Sequence, residues 1–210
     1  GGTVRCVKGT DSRPGRNRQV AAQISNRGRL PKSRRCFNSR PQSIQAHNVN
    51  IPAPNYTIPN LVLPPGDLWV FGYGSIMWRP GFEHEECCPG RVFSYHRSLC
   101  VWSWVHRGTR ARPGLVLGLD AGGSCQGMAY RIAADQKAEV ADYLYSRELV
   151  TDGYQALLHH VHLATGVVTA LTFRANRGHP QYAGRLDHRH AADVVGSARG
   201  LSGANPEYLD

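Results

Sequence analysis

Hydrophobic and polar positions divide the chain near residue 66. Before it, few apolar residues recur with a helical or strand period, and Arg, Ser, Asn and Pro dominate. Such a segment buries too little apolar surface to offset the backbone entropy of ordering it, about 1–2 kcal/mol per residue. Pro52, Pro54, Pro59, Pro64 and Pro65 favour extended chain, the composition of a linker. From Leu68 the pattern becomes regular. Leu68 to Tyr73 is a short apolar run ending in glycines, a buried strand feeding a turn. Arg91 to Trp104 alternates and is rich in Val, Tyr, Phe and Trp, so it reads as one long strand or two broken ones. Leu115–Leu119 and Gln126–Ile132 read as strands flanking a turn at Ala121-Gly122-Gly123. Asp135 offers an N-cap for a helix to about Leu149, with Val140 and Leu144 on its inward stripe and Asp152-Gly153 as its stop. Tyr154–Leu163 and Val167–Arg174 form a hairpin through Ala164-Thr165-Gly166. Asp187 caps a second helix carrying Ala191, Val194, Val195 and Ala198, with Gly200 past its end. Strands outnumber helices without regular βαβ alternation. The pattern predicts an α+β domain over 67–210, built round a curved or closed antiparallel-rich sheet.

Charge sharpens the division. The net charge of +10 over 210 residues belongs entirely to residues 1–66, where eleven Lys and Arg face Asp11 alone. From Asp67 onward basic and acidic residues balance at fourteen each. The basic segment is open to three readings: an organelle-targeting segment, a nucleic-acid-binding tail, or an extension with no evolved role. Neither amphipathic periodicity nor aromatic interleaving supports the first two, so no nucleic-acid partner is expected. Position 1 is Gly, as in a fragment or processed product. No apolar run reaches the roughly 20 residues that cross a bilayer, and the N-terminus lacks the apolar stretch of a secretory signal. Cys6, Cys36, Cys87, Cys88, Cys100 and Cys125 show no CxxC pair or zinc spacing, and read as thiols of a reducing, cytoplasmic compartment. His160 and His162 share a strand face, but without a third ligand nearby they read as strand surface, and no metal is expected.

Two features carry candidate chemistry. In Phe71-Gly72-Tyr73-Gly74-Ser75-Ile76, glycines bracket Tyr73 at a strand end and let a ligand approach main-chain N–H groups, which bind carboxylates or a developing oxyanion. A plain strand-end bulge is the alternative. Met77 stands where a dinucleotide fingerprint needs its third glycine. Glu148 continues the Val140–Leu144 stripe at the end of its helix. Partial burial and the negative end of the helix dipole both disfavour its charge, as suits a general base near neutrality. A half-exposed Glu paired with Arg147 is the alternative. His106-Arg107-Gly108 and the loop from His179 to Gly184 are polar segments that suit either a pocket wall or an ordinary turn.

Val70-Phe71-Gly72-Tyr73-Gly74-Ser75-Ile76-Met77-Trp78-Arg79-Pro80-Gly81-Phe82 resembles the opening signature of the ChaC family of γ-glutamylcyclotransferases. Further matches follow in the family's order: His106-Arg107-Gly108, Pro113 to Leu117, Gly127 to Arg131, Arg147-Glu148, Pro180 to Gly184 and Ser202 to Leu209. The bacterial branch is the nearer match. Ile76 stands where the family usually has Leu, and the chain stops at Asp210 where family members commonly continue. The resemblance implies a small β-barrel with packed helices and cofactor-free cleavage of glutathione to 5-oxoproline and cysteinylglycine. Another γ-glutamyl amine or dipeptide is the alternative substrate. It also implies Glu148 as the catalytic acid–base, and Tyr73, Gly74, Ser75 and Ile76 as the loop holding the γ-glutamyl group. Tyr182 is expected to line the pocket through its hydroxyl, and Arg107, from its charge, to meet a substrate carboxylate. Ser75 is not expected to act as a nucleophile, because ring closure needs no covalent intermediate.

Overall fold

A computed structural model describes residues 59–209. Most of the basic segment, together with Cys6 and Cys36, lies outside the described residues. Five strands, β1 (Leu68–Gly72), β2 (Glu86–Ser103), β3 (Gly114–Ile132), β4 (Tyr154–Leu163) and β5 (Gly166–Ala175), close into a barrel in the order β1-β3-β2-β4-β5. All neighbours are antiparallel except β1 and β5, whose parallel seam pairs Trp69 with Ala170 and Val70 with Leu171. Helix α1 (Lys137–Glu148) packs on the barrel wall, α2 (His188–Ser197) follows β5, and β6 (Arg199–Gly200) pairs with β7 (Gly203–Ala204). The α+β barrel expected from the sequence is the architecture found.

The unbroken apolar run of β1 follows from its position. Leu68 and Val70 pack with Val140, Leu144 and Tyr145 of α1, whereas Phe71 joins Val92, Leu119, Cys125, Ala129, Val161 and Ala170 inside the barrel. Both faces are covered, so alternation is lost. His160 and His162 flank buried Val161 on β4 and face outward.

Three local expectations are corrected. Ala121-Gly122-Gly123 does not reverse the chain: β3 runs through it for 19 residues. Pairing steps from Phe93↔Ser124 to Tyr95↔Ala121, and Gly122 and Gly123 take φ of 97° and 71°, so the glycines form a bulge that bends β3 along β2. Helix α1 is capped by Gln136 without a side-chain bond, not by Asp135. There the Gln136 amide closes a turn on the Ala133 carbonyl, and Lys137 Nζ donates to the Pro64 and Gly66 carbonyls, tying the helix start to the incoming chain. Asp187 caps α2 as expected, accepting from the Arg189 and His190 amides at 3.0 Å each. At its other end extended Ala198 leads directly into β6, so Gly200 is a strand residue instead of a helix stop.

Candidate active site

One end of the barrel opens into a cavity of about 1010 Å³. Its walls are the segment after β1, the end of β2 with residues 104–107, the C-terminal end of α1, and a strap from Ser202 to Tyr208.

The segment after β1 folds into a single 3-10 turn, Ser75–Met77. The Met77 amide donates to the Gly74 carbonyl at 2.9 Å, and the Arg79 amide to that of Ser75 at 2.8 Å. Tyr130 fixes the turn from below, its hydroxyl 3.1 Å from the Ile76 carbonyl and 3.0 Å from that of Met77. The Ser75 and Ile76 amides have no intramolecular acceptor among the described residues. Because the Ile76 side chain is buried in the core, this residue offers the cavity mainly its backbone.

Glu148 closes α1 and faces the cavity with 17% of its side chain exposed. Burial pushes its carboxyl above the ordinary range, and the Arg147 guanidinium only partly opposes this. Burial and pairing with Arg147, alternatives at the level of sequence, therefore coexist. Arg147 Nε lies 3.0 Å from Glu148 Oε1, while its Nη2 donates to Ser75 Oγ at 2.8 Å. One guanidinium thus ties the carboxylate to the 3-10 turn. Its other nitrogen donates to the Arg79 and Pro80 carbonyls at 2.7 and 3.1 Å, which removes the freedom a surface arginine would have.

Three tyrosines, Tyr73, Tyr154 and Tyr208, line the same cavity as this carboxylate. Burial, then the Glu148 charge, pushes the Tyr73 hydroxyl well above its usual pKa; burial first of all does the same for Tyr154 and Tyr208. Tyr154 donates to the Leu117 carbonyl at 2.7 Å, and the Leu117 amide approaches the Tyr208 hydroxyl at 3.4 Å. All three remain neutral phenols at any ordinary pH.

The strap that delivers Tyr208 is locked by Asn205, which is fully buried. Its Oδ1 accepts from the Leu115 amide at 2.6 Å and its Nδ2 donates to the Leu115 carbonyl at 3.0 Å, so this side chain pairs with β3 as a strand would. Backbones cross nearby at Gly108, Gly114 and Gly200, where a Cβ on any of them would collide with main-chain atoms. Arg107 lines the cavity but is already engaged: it donates to the Ala204 carbonyl at 2.9 Å, contacts Glu207 at 3.5 Å and lies over the Tyr208 ring. Its charge braces the strap. Neighbouring His106 meets Ser202 Oγ at 3.0 Å, and burial, reinforced by Arg107 and Arg147, lowers its pKa.

Tyr182 is placed elsewhere. Its hydroxyl donates to Asp120 Oδ2 at 3.0 Å, Arg177 pairs with Oδ1 at 2.7 Å, and the ring is not among the cavity walls. Burial alone would raise the Asp120 carboxyl; the hydrogen bonds from Arg177 and Tyr182 hold it below its usual value instead. The preceding residue, Gln181, lines the cavity. Tyr73, Gly74, Ser75, Ile76, Arg107 and Glu148 are thus brought to one cavity, and Tyr182 is not. Gln181, Asn205, Tyr154 and Tyr208 were missed; all but Tyr154 stand in motif strings already picked out, but nothing in residue type or period marks them individually.

Among the described residues no three His, Cys, Asp or Glu side chains are grouped to hold a metal, and no helix is long and apolar enough to cross a membrane.

The family model described as ChaC-like protein matches residues 68–210. A glutathione-specific gamma-glutamylcyclotransferase of Escherichia coli is 34% identical over 145 residues, covering 69% of this chain and 63% of that protein. The chain therefore spans somewhat less than two thirds of that relative. The protein of the same name from Schizosaccharomyces pombe is 34% identical over 168 residues, covering 70% of this chain and 81% of its own. A crystal structure of the yeast gamma-glutamyl cyclotransferase specific to glutathione superposes with a TM-score of 0.64 at 23% identity, over 68% of this chain and 83% of that one, a likeness of fold. Because the match covers all five barrel strands, the 3-10 turn and the buried carboxylate, the chain belongs to the ChaC-like protein family.

Proposed function

We propose that the protein cleaves glutathione by closing the γ-glutamyl group on itself, yielding 5-oxoproline and cysteinylglycine, with residues 67–210 as the catalytic unit. The names of its relatives support the substrate. The observation that carries the chemistry is Glu148, a buried carboxylate of raised pKa in a cavity it shares with an amide-bearing turn, the two joined by Arg147.

The reaction forms one C–N bond and breaks another. The substrate's α-amine attacks its own γ-carbonyl and closes a five-membered ring; the amide nitrogen of the cysteinyl residue departs as an amine. Orientation within one molecule supplies roughly 7–11 kcal/mol of the barrier. The protein's tasks are to curl the substrate and to move a proton. Ionised Glu148 relays two protons in turn from the α-nitrogen to the departing nitrogen, one taken from the ammonium before attack and one as the ring closes, so cysteinylglycine leaves as an ammonium and the carboxylate is regenerated. The open Ser75 and Ile76 amides face the developing oxyanion, where one donor is worth roughly 2.7–4 kcal/mol. The neutral tyrosines keep the carboxylate dry without competing for its proton. This sequence of steps calls for no cofactor.

Incubation with saturating glutathione is expected to release 5-oxoproline, and absence of product rejects the proposal. The rate has a defined sign with pH. Glu148 must be ionised to act, so turnover rises as pH rises through its elevated pKa and is lost below it. Arg147 holds that pKa down, so Arg147→Met is expected to move the acid limb of the kcat profile to higher pH. An unmoved limb would disconnect Glu148 from the rate.

A further inference from the structure

The charged side chains on the cavity walls are Arg79, Arg107, Arg147, Glu148 and Glu207, and they pair off with one exception. Arg147 is joined to Glu148 at 3.0 Å and Arg107 to Glu207 at 3.5 Å. His106 adds no charge near neutrality, because burial and the neighbouring Arg107 and Arg147 lower its pKa. The Arg79 guanidinium has no hydrogen bond or ion pair among the described residues. The backbone of Arg79 is engaged, its amide donating to the Ser75 carbonyl at 2.8 Å and its carbonyl accepting from Arg147 Nη1 at 2.7 Å. The residue is nonetheless exposed, so what it offers a ligand is its side chain. Trp78 beside it is 52% exposed and stands edge-on to Tyr208 of the strap, ring centres 6.3 Å apart, which makes this segment part of the cavity rim. Arg110, by contrast, lies over the Trp104 ring at 4.6 Å and is not among the cavity walls.

Three guanidinium groups against two carboxylates leave the walls one positive charge in surplus. Glutathione at neutral pH has the complementary surplus, two carboxylates against one ammonium. On the proposed reading, on which this inference rests, the ammonium and the α-carboxylate share one carbon atom and stay together beside Glu148 and Arg147. The glycyl carboxylate lies at the other end of the molecule. Two residues separate it from the scissile carbonyl, a span of at most about 7 Å. That carbonyl faces the Ser75 and Ile76 amides, so its distant carboxylate falls within the sweep of a long side chain rooted just past the same turn. A guanidinium fork suits a carboxylate, which it meets through two parallel hydrogen bonds. Arg107, expected from its charge to make this contact, is instead held on the strap. We infer that Arg79 is a specificity-determining residue, its guanidinium receiving the C-terminal carboxylate of a γ-glutamyl tripeptide and so favouring such peptides over γ-glutamyl amines that lack this group.

The test compares kcat/KM for glutathione and for glutathione amide, in which a neutral carboxamide replaces the glycyl carboxylate. The wild-type protein is expected to use the amide about tenfold less efficiently, the lower end of what a hydrogen bond to a charged group supplies. In Arg79→Gln glutathione should fall by a similar factor, chiefly through KM, while the amide shows no further loss. The amide therefore serves as the control for folding, since a misfolded variant loses both substrates, and the wild-type comparison needs no variant at all. Equal wild-type efficiencies on glutathione and its amide overturn the inference. So does a parallel loss of both substrates in an Arg79→Gln protein that melts as the parent does, because the guanidinium would then serve something other than the glycyl end. Failure of the wild-type protein to consume either substrate would instead reject the proposed reaction.

Discussion

Glu148→Gln is expected to fold and to lose about 10²–10⁴-fold in turnover of glutathione, the range that general acid–base catalysis supplies. Gln matches the carboxyl in shape but neither removes the ammonium proton nor returns one to the departing amine. Stability moves the other way. Because burial raises the folded-state pKa, the protein favours protonated Glu148, and the contribution of this group to stability declines as pH rises through that value. The neutral variant avoids this penalty, and Arg147 keeps its bonds to Ser75, Arg79 and Pro80. The variant should therefore melt at least as high as the parent at neutral pH, with an advantage that shrinks on acidification. Thermal melts at two pH values beside a 5-oxoproline assay read both effects. Retained turnover would remove Glu148 from the chemistry, and a lower melting temperature would make it a structural ion pair.

Asn205→Leu should cost about 2–4 kcal/mol of folding stability, because it strands both the amide and the carbonyl of Leu115 without partners or water. Leu115 is itself fully buried, so no solvent replaces the lost bonds. The damage should extend to the cavity, since the strap bearing Ser202, Glu207 and Tyr208 is pinned to β3 there. Urea unfolding reports the first effect and an increased KM for glutathione the second. A loss below about 0.5 kcal/mol would show that the Arg107 contacts and the glycine crossing hold the strap unaided.

What the sequence disclosed follows from which interactions are local. β1, the β4–β5 hairpin, the α1 stripe and the Asp187 cap depend on neighbouring residues and were legible directly. The Gly122-Gly123 pair was misread because a glycine pair with positive φ serves a turn or a bulge equally, and only β2 lying alongside decides for the bulge. Glu148 stood out because a carboxylate on an apolar stripe is anomalous by position. Its raised pKa comes from burial, in a cavity whose walls, Tyr73, Tyr154 and Tyr208 among them, arrive from separate segments. Arg107 was read by its charge alone, whereas its partners on the strap are nearly a hundred residues away. Tyr182 and Gln181 are adjacent and diverge by a peptide unit: the tyrosine goes to Asp120 and the glutamine to the cavity.

The parallel seam between β1 and β5 joins segments about a hundred residues apart, and loop-closure entropy makes such contacts late to form. Hairpin β4–β5 and the β2–β3 ribbon have nearer partners and can precede it. Since the 3-10 turn is the direct continuation of β1, the site's own amides reach their places only with that last closure. On dilution from denaturant, far-ultraviolet circular dichroism should therefore recover before catalytic activity, with the interval between them timing the closing of the cylinder.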